Sequence, residues 1–130
     1  MIVHLDTAVI VDALTGPRRL FWALERTVAD GHVIATSALA LYEWLRGPRT
    51  AADIEDQEAL LPSSDARPFG AAEAARAATL YRALPRARGR EMDIAIAACA
   101  LEHGAYLWTL NTADFKGMSG LKLYAPPARR

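Results

Sequence analysis

Apolar positions change period repeatedly along the chain, and the changes outline alternating strands and helices. Met1–Leu5 is a short apolar run that ends at Asp6 and predicts a buried strand. Thr7–Leu14 follows as a short helix stopped by Gly16-Pro17, and Arg19–Ala29 carries Leu20, Phe21, Leu24 and Val28 at helical spacing. His32–Ala35 predicts a second strand, and Thr36 or Ser37 caps a helix running to Arg46. Further helices are expected over Thr50–Leu61, Ala71–Leu84 and Glu91–His103, the last apolar on almost every face and hence central. Ala66–Phe69 is a weak strand because Pro68 confines it to an edge, Tyr106–Thr109 is a strand, and Leu121–Tyr124 a short final one. Strands alternating with helices of this length predict a three-layer α/β/α fold with a short parallel sheet of four or five strands.

With 130 residues, 52% apolar and 23% charged, the chain is expected to form one domain over 1–130. Cys99 is the only cysteine and lies among alanines, which excludes a disulfide framework and predicts a core residue. The chain enters a strand directly at its N-terminus, without the basic and long apolar segments of a signal peptide, so a cytoplasmic location with no membrane span is expected. Fifteen cations balance fifteen anions, so any polyanionic partner must be held by local charge. Thirteen of those cations are Arg, and Arg82, Arg86, Arg88 and Arg90 crowd one stretch beside the Glu91–His103 helix.

Four carboxylates stand in apolar surroundings: Asp6, Glu43, Asp93 and Asp114. A buried carboxylate is unfavourable unless it is paired or coordinates a cation. In an open parallel sheet, sites form beyond the carboxyl ends of the strands, where Asp6 and Asp114 fall. Asp93 lies in the first turn of its helix, where the macrodipole favours an anion. Three have an ordinary alternative, Asp6 a helix cap, Glu43 a solvated helix position and Asp114 a turn residue, whereas the helix around Asp93 offers almost no polar face. Gathered together they would suit Mg2+ or Mn2+, because His4, His32 and His103 lack metal-ligand spacing and the donors are all oxygen. Phosphodiester hydrolysis is the reaction that most needs such a site. No G-x-S-x-G elbow, P-loop or G-x-G-x-x-G is present.

The segments "HLDTAVIVDAL", "SALALYEWLRG", "MDIAIAACALEHGAYLWTLNTADF" and "GLKLY" together resemble the PIN-domain ribonucleases, and within them the VapC-type toxins of toxin–antitoxin pairs. The resemblance implies a metal-dependent endoribonuclease with Asp6, Glu43, Asp93 and Asp114 catalytic. Asp6, Asp93 and Asp114 would ligate Mg2+ or Mn2+, with Thr7, Thr109 and Asn111 in support. It also implies a homodimer, a cognate VapB-like antitoxin forming a heterotetramer or larger assembly, and a structured RNA substrate such as tRNA or rRNA. Ala8 departs from the small polar residue many relatives carry, and residues 51–67 match nothing diagnostic. Two alternatives stay open: an RNA-processing PIN nuclease outside a toxin pair, and a catalytically weak module that binds RNA or protein. Arg82, Arg86, Arg88 and Arg90 are candidate RNA contacts. Among the large apolar side chains Phe21, Trp22, Leu24, Tyr42, Trp44 and Leu45, the expected exposed antitoxin anchors are Trp22 and Trp44, with Phe21 and Leu24 in the core.

Overall fold

A computed structural model describes residues 1–129. Among them the sheet has three strands, β1 (Ile2–Leu5), β2 (Val33–Ala35) and β3 (Tyr106–Trp108), in the order β2-β1-β3. Both pairings are parallel, with Ile2 opposite Val33 and Val3 opposite Tyr106. The central strand therefore delivers Asp6 to the middle of the carboxyl edge, where the backbone N–H of Asp6 still donates to the Trp108 carbonyl at 2.9 Å.

Side chains along β1 alternate between two cores, as a pleated strand covered on both faces requires. Val3 and Leu5 enter one core with Val9, Ile10, Leu24, Trp44 and Trp108. This core packs α1 (Thr7–Leu14), α2 (Phe21–Ala29) and α3 (Ala38–Arg46) on one face. The other core holds Ile94, Ile96, Ala97, Leu107, Phe115 and Met118, beneath α5 (Ala71–Ala83) and α6 (Glu91–Glu102). The α4 helix (Ala51–Leu60) opens with a capping box in which Thr50 and Asp53 satisfy each other's backbone N–H groups. A four-residue helix, α7 (Thr112–Phe115), was not foreseen by periodicity because it is one turn long.

Two expectations need correction. The four or five strands reduce to three, with single parallel bridges at Ser37–Arg67 and Leu107–Leu123 where the others were expected. Each extra pairing stops at proline, which has no N–H to extend a ladder: Pro68 after Arg67, and Pro126-Pro127 after Tyr124. Trp44 is fully buried, not an exposed anchor. Its helix turns that face inward onto α1, and the Arg49 guanidinium covers the ring at 4.2 Å. Trp22 is half-buried as expected, Leu24 is core and Phe21 half-buried. The exposed large apolar residues of α3 are Tyr42 and Leu45, at 55% and 47% exposure.

Candidate active site

Asp6 caps α1 weakly, its Oδ1 accepting from the Thr7 backbone N–H at 2.9 Å. Capping leaves Oδ2 available, and the Thr109 hydroxyl donates to it at 2.8 Å from the end of β3. Thr109 Oγ1 in turn accepts from the Asn111 backbone N–H at 3.1 Å. The Thr7 hydroxyl reaches across to α3 and donates to Glu43 Oε1 at 2.7 Å. Thr7 and Thr109 thus orient carboxylates through two hydroxyls and the Thr7 backbone N–H, the Asn111 N–H in turn fixes Thr109, and residues 36 and 103 positions apart become neighbours.

Asp6, Glu43 and Asp93 line one cleft of about 600 Å³, together with Thr7, Ala8, Asn111, Arg19 and Arg46. Asp114 does not line it. It is exposed at the rim on α7, which is anchored by the buried Phe115, and its charge still acts on Asp93. Burial raises the Asp93 carboxyl above the usual range, and Asp6, Asp114 and Glu43 push the same way, with Arg90 opposing. Burial also raises Asp6, against the hydrogen bonds from Thr109 and Thr7, and Glu43 adds to the rise. The site therefore holds crowded negative charge that resists ionisation.

Among the described residues, no three His, Cys, Asp or Glu side chains stand close enough to hold an ion as they lie. The donor set nonetheless fits a hard cation. The carboxylates on the cleft wall are those of Asp6, Asp12, Glu43 and Asp93, all oxygen donors, and a cleft this wide leaves room for the waters that Mg2+ retains. Soft-metal chemistry has no support: Cys99 is buried away from the cleft and burial pushes its thiol up to about 11.

Of the arginines beside α6, only Arg90 reaches the site, its guanidinium donating to the Asp114 carbonyl. Arg86 and Arg88 stay exposed, and Arg82 lies against an apolar groove with Phe69 and Tyr81 between α5 and α6. Arg19 and Arg46 were not singled out by the sequence: the i,i+3 spacing of Arg46 from Glu43 was a signal that could have found the one, whereas nothing in the local context of Arg19 connects it to the acidic residues. A second unforeseen feature is His4, buried on β1 with both ring nitrogens unpartnered and its ring 5.4 Å from that of His103.

The chain shares no significant match with curated proteins. Its fold is similar over nearly its whole length to solved structures. VapBC2 from Rickettsia felis, solved bound to a promoter DNA fragment, aligns over 98% of this chain and 100% of that one, with a TM-score of 0.73 and 21% identity. A toxin–antitoxin complex from Klebsiella pneumoniae aligns over 92% and 94%, with a TM-score of 0.70 and 25% identity. FitAcB from Neisseria gonorrhoeae aligns over 96% and 97%, at 0.70 and 21%. The family model described as the PIN domain matches residues 3–120, a span that runs from the central strand through all four carboxylates. The chain belongs to the PIN domain family.

Proposed function

We propose that the chain, as a single domain over 1–130, is a VapC-type toxin: an endoribonuclease dependent on Mg2+ or Mn2+ that acts in the cytoplasm. The observation that carries this reading is the joining of Asp6, Glu43 and Asp93 in one cleft at the carboxyl edge of the sheet, with Asp114 at its rim. Asp6, Asp93 and Asp114 would hold the ion, and Glu43, tied by Thr7, would stand beside it. When bound, the ion supplies neutralisation of charge growing on the phosphate and a more acidic attacking water. The protein's own part is positional. Thr109 and Thr7 hold both oxygens of Asp6, so this carboxylate need not reorganise when substrate arrives. Arg90 fastens the Asp114 backbone and so sets the rim of the site.

The purified chain should cleave RNA in Mg2+ or Mn2+ and fall silent in EDTA, with end mapping of total RNA naming the substrate. Metal-independent cleavage, or none in either ion, would reject this reading. Where RNA is bound at EDTA-level metal but never cut, the weak binding-module reading takes its place.

An antitoxin partner is supported by the similar solved structures, among them a toxin–antitoxin complex. A homodimer and a larger assembly with a VapB-like antitoxin belong to the same proposal. Trp22, half-buried, and the exposed Tyr42 and Leu45 are the apolar side chains left for an amphipathic antitoxin segment, now that Trp44 is core. Trp22→Ala with Tyr42→Ala should weaken antitoxin affinity by roughly tenfold or more. Unchanged affinity in a folded double variant would place the antitoxin contact elsewhere.

A further inference from the structure

Resting on the ribonuclease reading of the cleft, we infer that Arg19 and Arg46 bind the backbone phosphates of the RNA strand on either side of the reacting one. An RNA strand carries a negative charge at every nucleotide. One seated against Asp6, Glu43 and Asp93 brings flanking phosphates towards a wall that repels them, so cations must stand beyond the carboxylates.

The cleft supplies them. Ala8, Val11 and Asp12, at helical spacing on one face of α1, line the cleft together with Thr15 at the helix's C-cap, the Gly16-Pro17 turn and Arg19 beyond it. Ala8 keeps this wall low. Arg18 and Arg19 are adjacent but differently used. Arg18 is spent on structure: it donates to the Ala13 carbonyl, stacks on Phe21 at 4.5 Å and pairs with Asp56 at 3.7 Å. Arg18 also has a φ of +53°, the only non-glycine in the left-handed region among the described residues. Such a conformation persists only where its surroundings enforce it, and it accompanies functional sites. On the other side, the Leu20 N–H donates to Asp12 Oδ1 at 3.2 Å. Arg19 is thus held between two fixed residues while making no ion pair or hydrogen bond of its own among the described residues. Asp12, whose Oδ1 accepts from Leu20, lines this end of the cleft too but forms no ion pair with Arg19, which faces the cleft as a cation.

Arg46 lines the same cleft from α3, three residues beyond Glu43. Its contact with Glu43 Oε2 is long, 3.4 Å, and its side chain is 58% exposed. Glu43 has its short bond to Thr7 instead, so Arg46 can turn to a phosphate without freeing Glu43. Arg19 and Arg46 both line the cleft that holds the carboxylates, whereas Arg82, Arg86 and Arg88 lie outside it.

The test has two arms on the full chain. Binding of a labelled RNA oligonucleotide in EDTA reads phosphate contacts without cleavage. Arg19→Ala/Arg46→Ala should make the dependence of log affinity on log salt shallower by about 1.4, about 0.7 per lost contact with a single strand. The loss should be similar across RNA sequences, as for any phosphate contact. In Mn2+ the same variant should raise KM with little change in kcat. Arg19→Lys/Arg46→Lys, which keeps point charges, should retain most of the slope, as a merely structural role for the guanidinium would not allow. Arg82→Ala/Arg86→Ala/Arg88→Ala should leave both slope and KM as in wild type. An unchanged slope in the Arg19/Arg46 alanine variant, or the loss appearing in the triple variant instead, would overturn the inference. An arginine-dependent slope with no cleavage would sustain it while removing the nuclease reading.

Discussion

Asp93→Asn should abolish metal-dependent RNA cleavage, by about a thousandfold or more, and Asp6→Asn should do the same. Removing a single preorganised electrostatic partner at a reacting centre costs roughly 10²–10³ in rate, and here the ion itself would lose a ligand. Stability should move the other way in the absence of metal. The fold holds the Asp93 carboxyl above its ordinary range through burial and the charges of Asp6, Asp114 and Glu43. Its ionised form therefore opposes folding at pH 7. That opposition is absent below the ordinary carboxylate pKa and complete above the raised one. The amide carries no charge, so the variant should melt at a higher temperature than wild type in EDTA. Adding Mn2+ should reverse the order. A ligand at a hundredfold excess over Kd stabilises by about 2.7 kcal/mol, and the variant forfeits much of that. Thermal melts with and without Mn2+ are a readout independent of catalysis. A variant that still cuts RNA at the wild-type rate in Mn2+ would take its residue out of the site.

Lowering the pH from 7 to 4 should remove on the order of 3 kcal/mol of stability through His4 alone. Burial lowers its pKa to about 4, and the charges of His103 and Arg67 add to the effect. His4 faces His103, which pairs with Glu73 Oε2 at 3.1 Å, so no carboxylate is left to accept a proton bond from His4 itself. The unfolded chain protonates this residue near pH 6.5, whereas the folded chain resists until about pH 4. Between those values the unfolded state binds the extra proton, so stability is complete above 6.5 and lost as pH falls towards 4. Asp6 and Asp93, whose carboxyls are raised, act in the opposite sense over the acid range and partly offset it. Comparison with His4→Leu isolates the histidine. The variant replaces two unpartnered buried nitrogens with an apolar side chain of similar size, so its stability at pH 7 should change little or rise. Urea unfolding at pH 7 and pH 4.5 should give a much smaller acid loss in His4→Leu. Parallel losses in the two proteins would show that His4 is not the cause.

Helices were legible where apolar periodicity ran between Gly or Pro stops. Thr7–Leu14 was placed to the residue, and the Ala71 and Glu91 starts were right. Arg19–Ala29 was expected two residues too early because Arg18 is left-handed and Leu20 is tied to Asp12, neither of which leaves a periodic mark. Asp6 and Asp93 were legible from place alone, one at a strand end and one in a first helical turn.

The sequence by itself determined the order of the three strands and the six longer helices, the parallel α/β class and the identity of the acidic residues, because these follow from local period, stops and charge in apolar context. Only the tertiary structure decided which way each helix is rotated. On α3, Leu39, Leu41, Tyr42, Trp44 and Leu45 offer apolar groups on several faces, and periodicity cannot choose among them. Packing against α1 and the bond from Thr7 to Glu43 choose, sending Trp44 inward and leaving Tyr42 and Leu45 outside. The same rotation carries Arg46 to the cleft, while the loop holding Arg86 and Arg88, near to Asp93 in sequence, remains outside it. Side-chain direction at a site is set by contacts between elements distant in sequence, and those contacts exist only once the layers have packed.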